Sequence, residues 1–174
     1  MFTDPEHLLA AYGVIGIAVV LFCETGLLVG LLLPGETLTI LAGAYSHGAA
    51  GRPHPDFALV VLAAAVGAIA GGQIGYLIGR RVGPSLFDRK DGKLFKHRYV
   101  ERTHRHFAKY GPATLLIGRF IPFVRTLVSP AAGIGEMPVT RFTMYNIGSG
   151  MLWALCVATA GYVVGGLLPI GRSA

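Results

Sequence analysis

The sequence predicts an all-α integral membrane protein: an inverted repeat, each half a re-entrant broken-helix hairpin plus a transmembrane helix, joined by a basic amphipathic helix. Three observations predict it. Charge is scarce, with 14% of the 174 residues Asp, Glu, Lys or Arg, against 53% in the apolar set and 25 glycines besides. Soluble domains carry about 25% charged residues, so too few ionic groups are present to cover a water-facing surface. Long apolar runs supply the second observation, and proline breaks that recur in order supply the third. The same figures exclude disorder, which goes with low hydrophobicity and high charge.

The first run, Leu8 to Leu33, is interrupted only by Glu24. The opening Met-Phe-Thr-Asp-Pro-Glu-His is acidic, unlike the positive start of a secretory signal, so this run is read as part of the mature protein. Pro34-Gly35 then breaks it, and a short stretch from Thr37 to Gly51 follows. That stretch is too short to cross as a helix, which needs about 20 apolar residues. Phe57 to Gly79 is uncharged and long enough to span. Gly67, Gly71, Gly75, Gly79 and Gly83 recur there every four residues. A glycine strip of this kind lets another helix backbone approach closely. It suits helix packing and assembly, homo-oligomers included.

Arg80 to Lys109 holds ten basic and three acidic residues, a net charge of +7. Phe95, Tyr99, Thr103 and Phe107 recur every four residues among them. The pattern is that of an amphipathic helix on an anionic leaflet, which the positive-inside rule places in the cytoplasm. The charge excess is thus local and calls for no nucleic-acid partner. Gly111 to Gly135 follows, with Pro112, Pro122 and Pro130, and then Phe142 to Gly171, thirty residues without a charge.

The halves repeat. Pro34-Gly-Glu36 leads to Ala42-Gly43, and Pro122-Phe-Val-Arg125 leads to Ala132-Gly133. Gly75-Tyr76 and Gly161-Tyr162 stand 86 residues apart near the ends of the clean runs. The chain is accordingly read as one domain over 1–174, with repeat 1 at about 8–83, the connector at about 84–109 and repeat 2 at about 110–170. Breaks at Pro34, Gly35 and Pro122 free backbone groups that hydrocarbon cannot satisfy, so they are expected to line a protein-walled cavity.

Four charges lie inside the apolar runs: Glu24, Glu36, Arg119 and Arg125. A central arginine costs ~2.5–3.5 kcal/mol even on insertion scales. The four are expected to pair or to face a wet cavity, and alignment of the prolines sets Glu36 opposite Arg125. An ion-pair cluster that only joins the halves is the plain alternative. Function explains four retained charges better, since buried pairs add little stability over apolar packing. A guanidinium fork matches phosphate oxygens, so Arg119 and Arg125 are the candidate anion-binding residues. Burial and nearby arginines act on a carboxylate in opposite senses. Glu24 and Glu36 are therefore candidates for taking a proton when their arginine partner is occupied. No catalytic or metal-ligating set is evident. The six histidines (His7, His47, His54, His97, His104 and His106) lie at the N-terminus or in polar connections. Gly148-Ser149-Gly150 lacks the spacing of a nucleophile elbow. Cys23 and Cys156 sit in apolar runs and are read as small buried hydrophobes.

At these residues the sequence resembles the DedA family, also called the VTT or SNARE-associated domain family. The resemblance rests on Glu24-Thr-Gly, Leu33-Pro-Gly-Glu36, Gly75-Tyr-Leu-Ile-Gly79-Arg80, Gly118-Arg-Phe-Ile-Pro122-Phe-Val-Arg125-Thr, Ala132-Gly133, Phe142, Asn146, Trp153 and Gly161-Tyr-Val-Val-Gly165. It implies a multi-pass bacterial inner-membrane protein with two facing re-entrant hairpins. It also implies no cofactor and a transport role, with members that recycle undecaprenyl phosphate and others linked to phosphatidylethanolamine. The expected function is proton-coupled flipping of a lipid phosphate, with no enzymatic step. The alternatives are proton-coupled transport of a small solute, a lipid phosphatase and a non-transporting scaffold. The chain ends at Ala174, where many members carry another apolar span.

Overall fold

A computed structural model describes residues 5–26, 35–47, 55–87 and 114–167. Among these residues every regular element is a helix. Helix α1 is Pro5–Gly26 and α2 is Gly35–Ser46. Helix α3 is Phe57–Phe87, α4 is Pro122–Ile134 and α5 is Val139–Leu167. One helical turn at 114–118 precedes α4. Pro34 lies outside the described residues. So does the connector beyond residue 87, up to which α3 continues from the apolar run.

Two of the helices, Phe57–Val82 within α3 and Val139–Leu167, are long and apolar enough to cross a membrane. Their polarity is arranged accordingly. Leu59, Leu62 and Val66 on α3 and Met144, Ile147, Met151 and Leu155 on α5 point outward, Met144 being 68% exposed. Asn146, Ser149, Arg119 and Arg125 point inward and are buried. An apolar exterior around a polar interior is stable against hydrocarbon and costly against water. Cys23 is half-buried, and Cys156, expected inside, is exposed on α5. An outward thiol still behaves as a small apolar group there.

Aromatic contacts fix the direction of the long helices. Phe57 at the start of α3 meets Tyr162 near the end of α5, ring centroids 5.2 Å apart. Tyr76, late in α3, stacks on Phe142, early in α5, at 4.3 Å. The two helices therefore run antiparallel. The short helices divide between them. Helix α2 crosses α5, with Gly43 against the carbonyl of Ala158 and Gly161 against that of Ile40. Helix α4 crosses α3, with Gly79 against the carbonyl of Pro130 and Gly133 against that of Tyr76. A Cβ at any of these four glycines would overlap backbone of the other helix, so each crossing is a backbone-on-backbone contact of the small-residue type. Of the remaining strip glycines, Gly67 and Gly71 abut α1 at Ala18 and Phe22, and Gly75 lies between Thr25 and Ser129.

Each short helix thus packs on the long helix of the other half, and the two lead to opposite ends. Helix α2 leads into His47, whose ring is 4.6 Å from that of Tyr162. Helix α4 finishes beside Tyr76, which donates a hydrogen bond to the carbonyl of Met137. The turn out of α4 is closed by the amide of Met137 on Ala132 and that of Glu136 on Gly133, both 3.1 Å. That is a Schellman pattern, and it sets Glu136 at φ 51°, a position glycine usually takes.

Candidate functional site

The helix broken before Pro122 builds the site. The chain leaves its helical turn at Gly118, passes through Arg119, Phe120 and Ile121, and re-enters helix at Pro122, whose fixed φ suits the first helical position. Ile121 is extended (φ −104°, ψ 111°) and offers no side-chain cap. The break turns Arg119 inward before α4 begins, and one helical turn later Arg125 also points inward. They are 6% and 4% exposed.

Arg119 is held by neutral acceptors. Its Nη1 donates to the Asn146 carbonyl (2.7 Å), to Asn146 Oδ1 (2.9 Å) and to Ser149 Oγ (2.8 Å). Its Nη2 donates to the Ala68 carbonyl at 2.6 Å. Asn146 in turn donates from Nδ2 to the Ile69 carbonyl at 2.9 Å. The guanidinium therefore ties the turn to the middle of both long helices. Gly72 and Gly150 give it room, since a Cβ on either would stand 3.3 Å from a guanidinium nitrogen.

Arg125 has a different partner. Its Nη2 forms a buried ion pair with Glu24 Oε1, from the last turn of α1. The other carboxylate oxygen of Glu24 accepts the backbone N–H of Gly35 at 3.1 Å. Glu24 thereby caps the first turn of α2, where a negative charge is favoured by the helix dipole. Trp153 lies over the guanidinium, 4.7 Å from ring centroid to Cζ, within cation–π range. The Nε of Arg125 is buried with no hydrogen-bond acceptor among the described residues.

The structure therefore brings Glu24, Gly35, Arg119, Arg125 and the start of α4 at Pro122 into one region. It does not set Glu36 opposite Arg125. Glu36 occupies the first turn of α2, half-buried, and has no ion-pair partner among the described residues. The reason is rotational. The amide of Gly35 meets the Glu24 carboxylate, and the next residue along a helix is turned by about 100°. Asn146, Ser149 and Trp153 are the functional neighbours that charge-based reading passes over. Their spacing of three and seven places them on one face of α5. Two polar side chains at that spacing inside a thirty-residue uncharged run are the signal that could have found them.

A helical core with apolar faces outward and two buried arginines inward defines a membrane protein built around a polar site. Residues 33–163 match the VTT domain. The chain is 41% identical over 170 residues to an uncharacterized membrane protein of Mycobacterium tuberculosis, covering 93% of this chain and 73% of that protein. It is 37% identical over 162 residues to protein DedA of Escherichia coli, covering 91% and 73%. The inner membrane protein YqjA of Escherichia coli is 38% identical over 148 residues, covering 84% and 65%. The chain belongs to the DedA family of VTT-domain membrane proteins. No solved structure matches it.

Proposed function

We propose that this protein is a multi-pass transporter of the bacterial inner membrane that flips a lipid phosphate between leaflets. The substrate is undecaprenyl phosphate or a phospholipid, and no covalent step is involved. One observation carries the reading: a buried guanidinium, Arg125, has a donor with no acceptor among the described residues and sits among helices whose outer faces are apolar. A guanidinium binds phosphate oxygens through paired N–H donors, and the lipid tail could stay in hydrocarbon while the headgroup occupies the polar interior. Arg119 would supply the second positive charge. The opposed courses of α2 and α4 support an inverted repeat of re-entrant hairpins, with the site where Glu24 links the start of α2 to Arg125 on α4.

Proton coupling follows from the Glu24–Arg125 pair. A proton taken up by Glu24 cancels its charge and releases Arg125 for a phosphate. Loss of that proton restores the pair and expels the headgroup. Glu36, half-buried in the first turn of α2, would pass the proton.

The test is headgroup transfer in proteoliposomes. Arg125→Gln and Arg119→Ala should abolish flipping of a fluorescent polyprenyl or glycerol phosphate while the purified variants stay folded. Folded, fully active variants would remove the phosphate assignment. Release of inorganic phosphate by the wild-type protein would establish a phosphatase, and movement of a water-soluble substrate without lipid reorientation would establish a solute carrier.

A further inference from the structure

We propose that Asn146 is the positioning residue that sets the charge selectivity of the site, keeping it one positive charge in excess. The inference rests on the lipid-phosphate reading and names the group that makes the site prefer an anion. Among the described residues two guanidinium groups and one carboxylate form the inner cluster. Glu24 compensates Arg125. Arg119 receives only neutral partners among the described residues: two backbone carbonyls, one amide oxygen and one hydroxyl. Its charge is therefore solvated without being cancelled. Glu36 lies outside this cluster, half-buried at the first turn of α2.

Asparagine is suited to this position for a specific reason. Its Oδ1 accepts from Arg119 while its Nδ2 donates to the Ile69 carbonyl. The amide thus joins a donor on the turn to an acceptor on α3. An aspartate could accept from Arg119 but would set its second oxygen against the Ile69 carbonyl, and it would neutralise the cluster. Ser149 reinforces the arrangement, since its hydroxyl accepts from the same guanidinium nitrogen. Arg119 is held by neutral groups, which leaves its charge free to attract an anion. A buried charge several ångströms from a ligand changes its affinity by orders of magnitude.

The experiment compares binding of short-chain phosphatidic acid and phosphatidylcholine to the purified protein and its variants in nanodiscs. Asn146→Asp should weaken phosphatidic acid binding by roughly a hundredfold and leave phosphatidylcholine unchanged. Asn146→Ser, which is neutral, should keep the preference for the anionic lipid. If Asn146→Asp fails to fold, Ser149→Asp places a carboxylate on the same guanidinium nitrogen and is read in the same way. A carboxylate variant that still prefers phosphatidic acid overturns the inference while leaving the lipid-phosphate reading intact. So does loss of the preference in Asn146→Ser. A wild-type protein with no preference between the two lipids overturns both.

Discussion

The two buried arginines differ in how their charge is met. Arg119 is surrounded by carbonyls, an amide and a hydroxyl contributed by α3 and α5. Arg125 faces the Glu24 carboxylate and the ring of Trp153, with one N–H left without an acceptor among the described residues. Neutral acceptors keep their hydrogen-bonding capacity across the physiological pH range, so the Arg119 contacts are permanent joints between elements. A carboxylate partner can be switched off by one proton. The same side chain thus meets neutral acceptors at one position and forms half of an ion pair at the other. Six residues and one helix break separate the two roles.

Removing the carboxylate breaks the comparison most severely. Glu24→Ala leaves Arg125 buried without its counter-charge and α2 without its cap. It should destabilise the protein by about 3–5 kcal/mol, read by denaturant unfolding in micelles. A loss under ~1 kcal/mol would mean that Arg125 is solvated by other means. In proteoliposomes Glu24→Gln, which keeps the shape, should leave headgroup transfer insensitive to an imposed proton gradient.

Arg119→Lys tests the strut. A single ammonium cannot reach acceptors on both long helices as a planar fork does, and a hydrogen bond to a charged group is worth about 1.5–3 kcal/mol. A loss of about that size is expected in unfolding measurements, with the lysine variant clearly less stable than wild type although the charge is kept. Equal stability would show that charge alone holds the turn in place.

Trp153→Phe gives the smallest effect and sharpens the contrast. An aromatic face remains over Arg125, so only part of the cation–π attraction is lost, about 0.5–1 kcal/mol. Trp153→Leu should cost more. If the two variants are alike, the ring acts by volume and its quadrupole is irrelevant to Arg125.

Much of this organisation can be read along the chain. The two long helices follow from uncharged length, the break at Pro122 from the proline itself, and the glycine strip of α3 from its period of four. The importance of Glu24, Arg119 and Arg125 follows from the cost of placing charge among apolar residues. Partner choice does not follow. Alignment of the repeats favours Glu36 for Arg125, whereas Glu24 takes that place, because the end of α1 and the start of α2 converge on one carboxylate. Asn146 and Ser149 carry no charge, so nothing in their own transfer cost marks them as holding a cation.

Segment composition alone places this chain in a membrane, breaks it at Pro122 and marks Glu24, Arg119 and Arg125 as charges in need of shelter. Those are properties of single segments, set by the cost of transferring each from water to hydrocarbon. Helix packing settles which acid meets which base, and that Arg119 is received by neutral groups. Those outcomes depend on the rotation and axial offset of helices packed through glycine contacts. A shift of one residue along either helix would point different side chains inward.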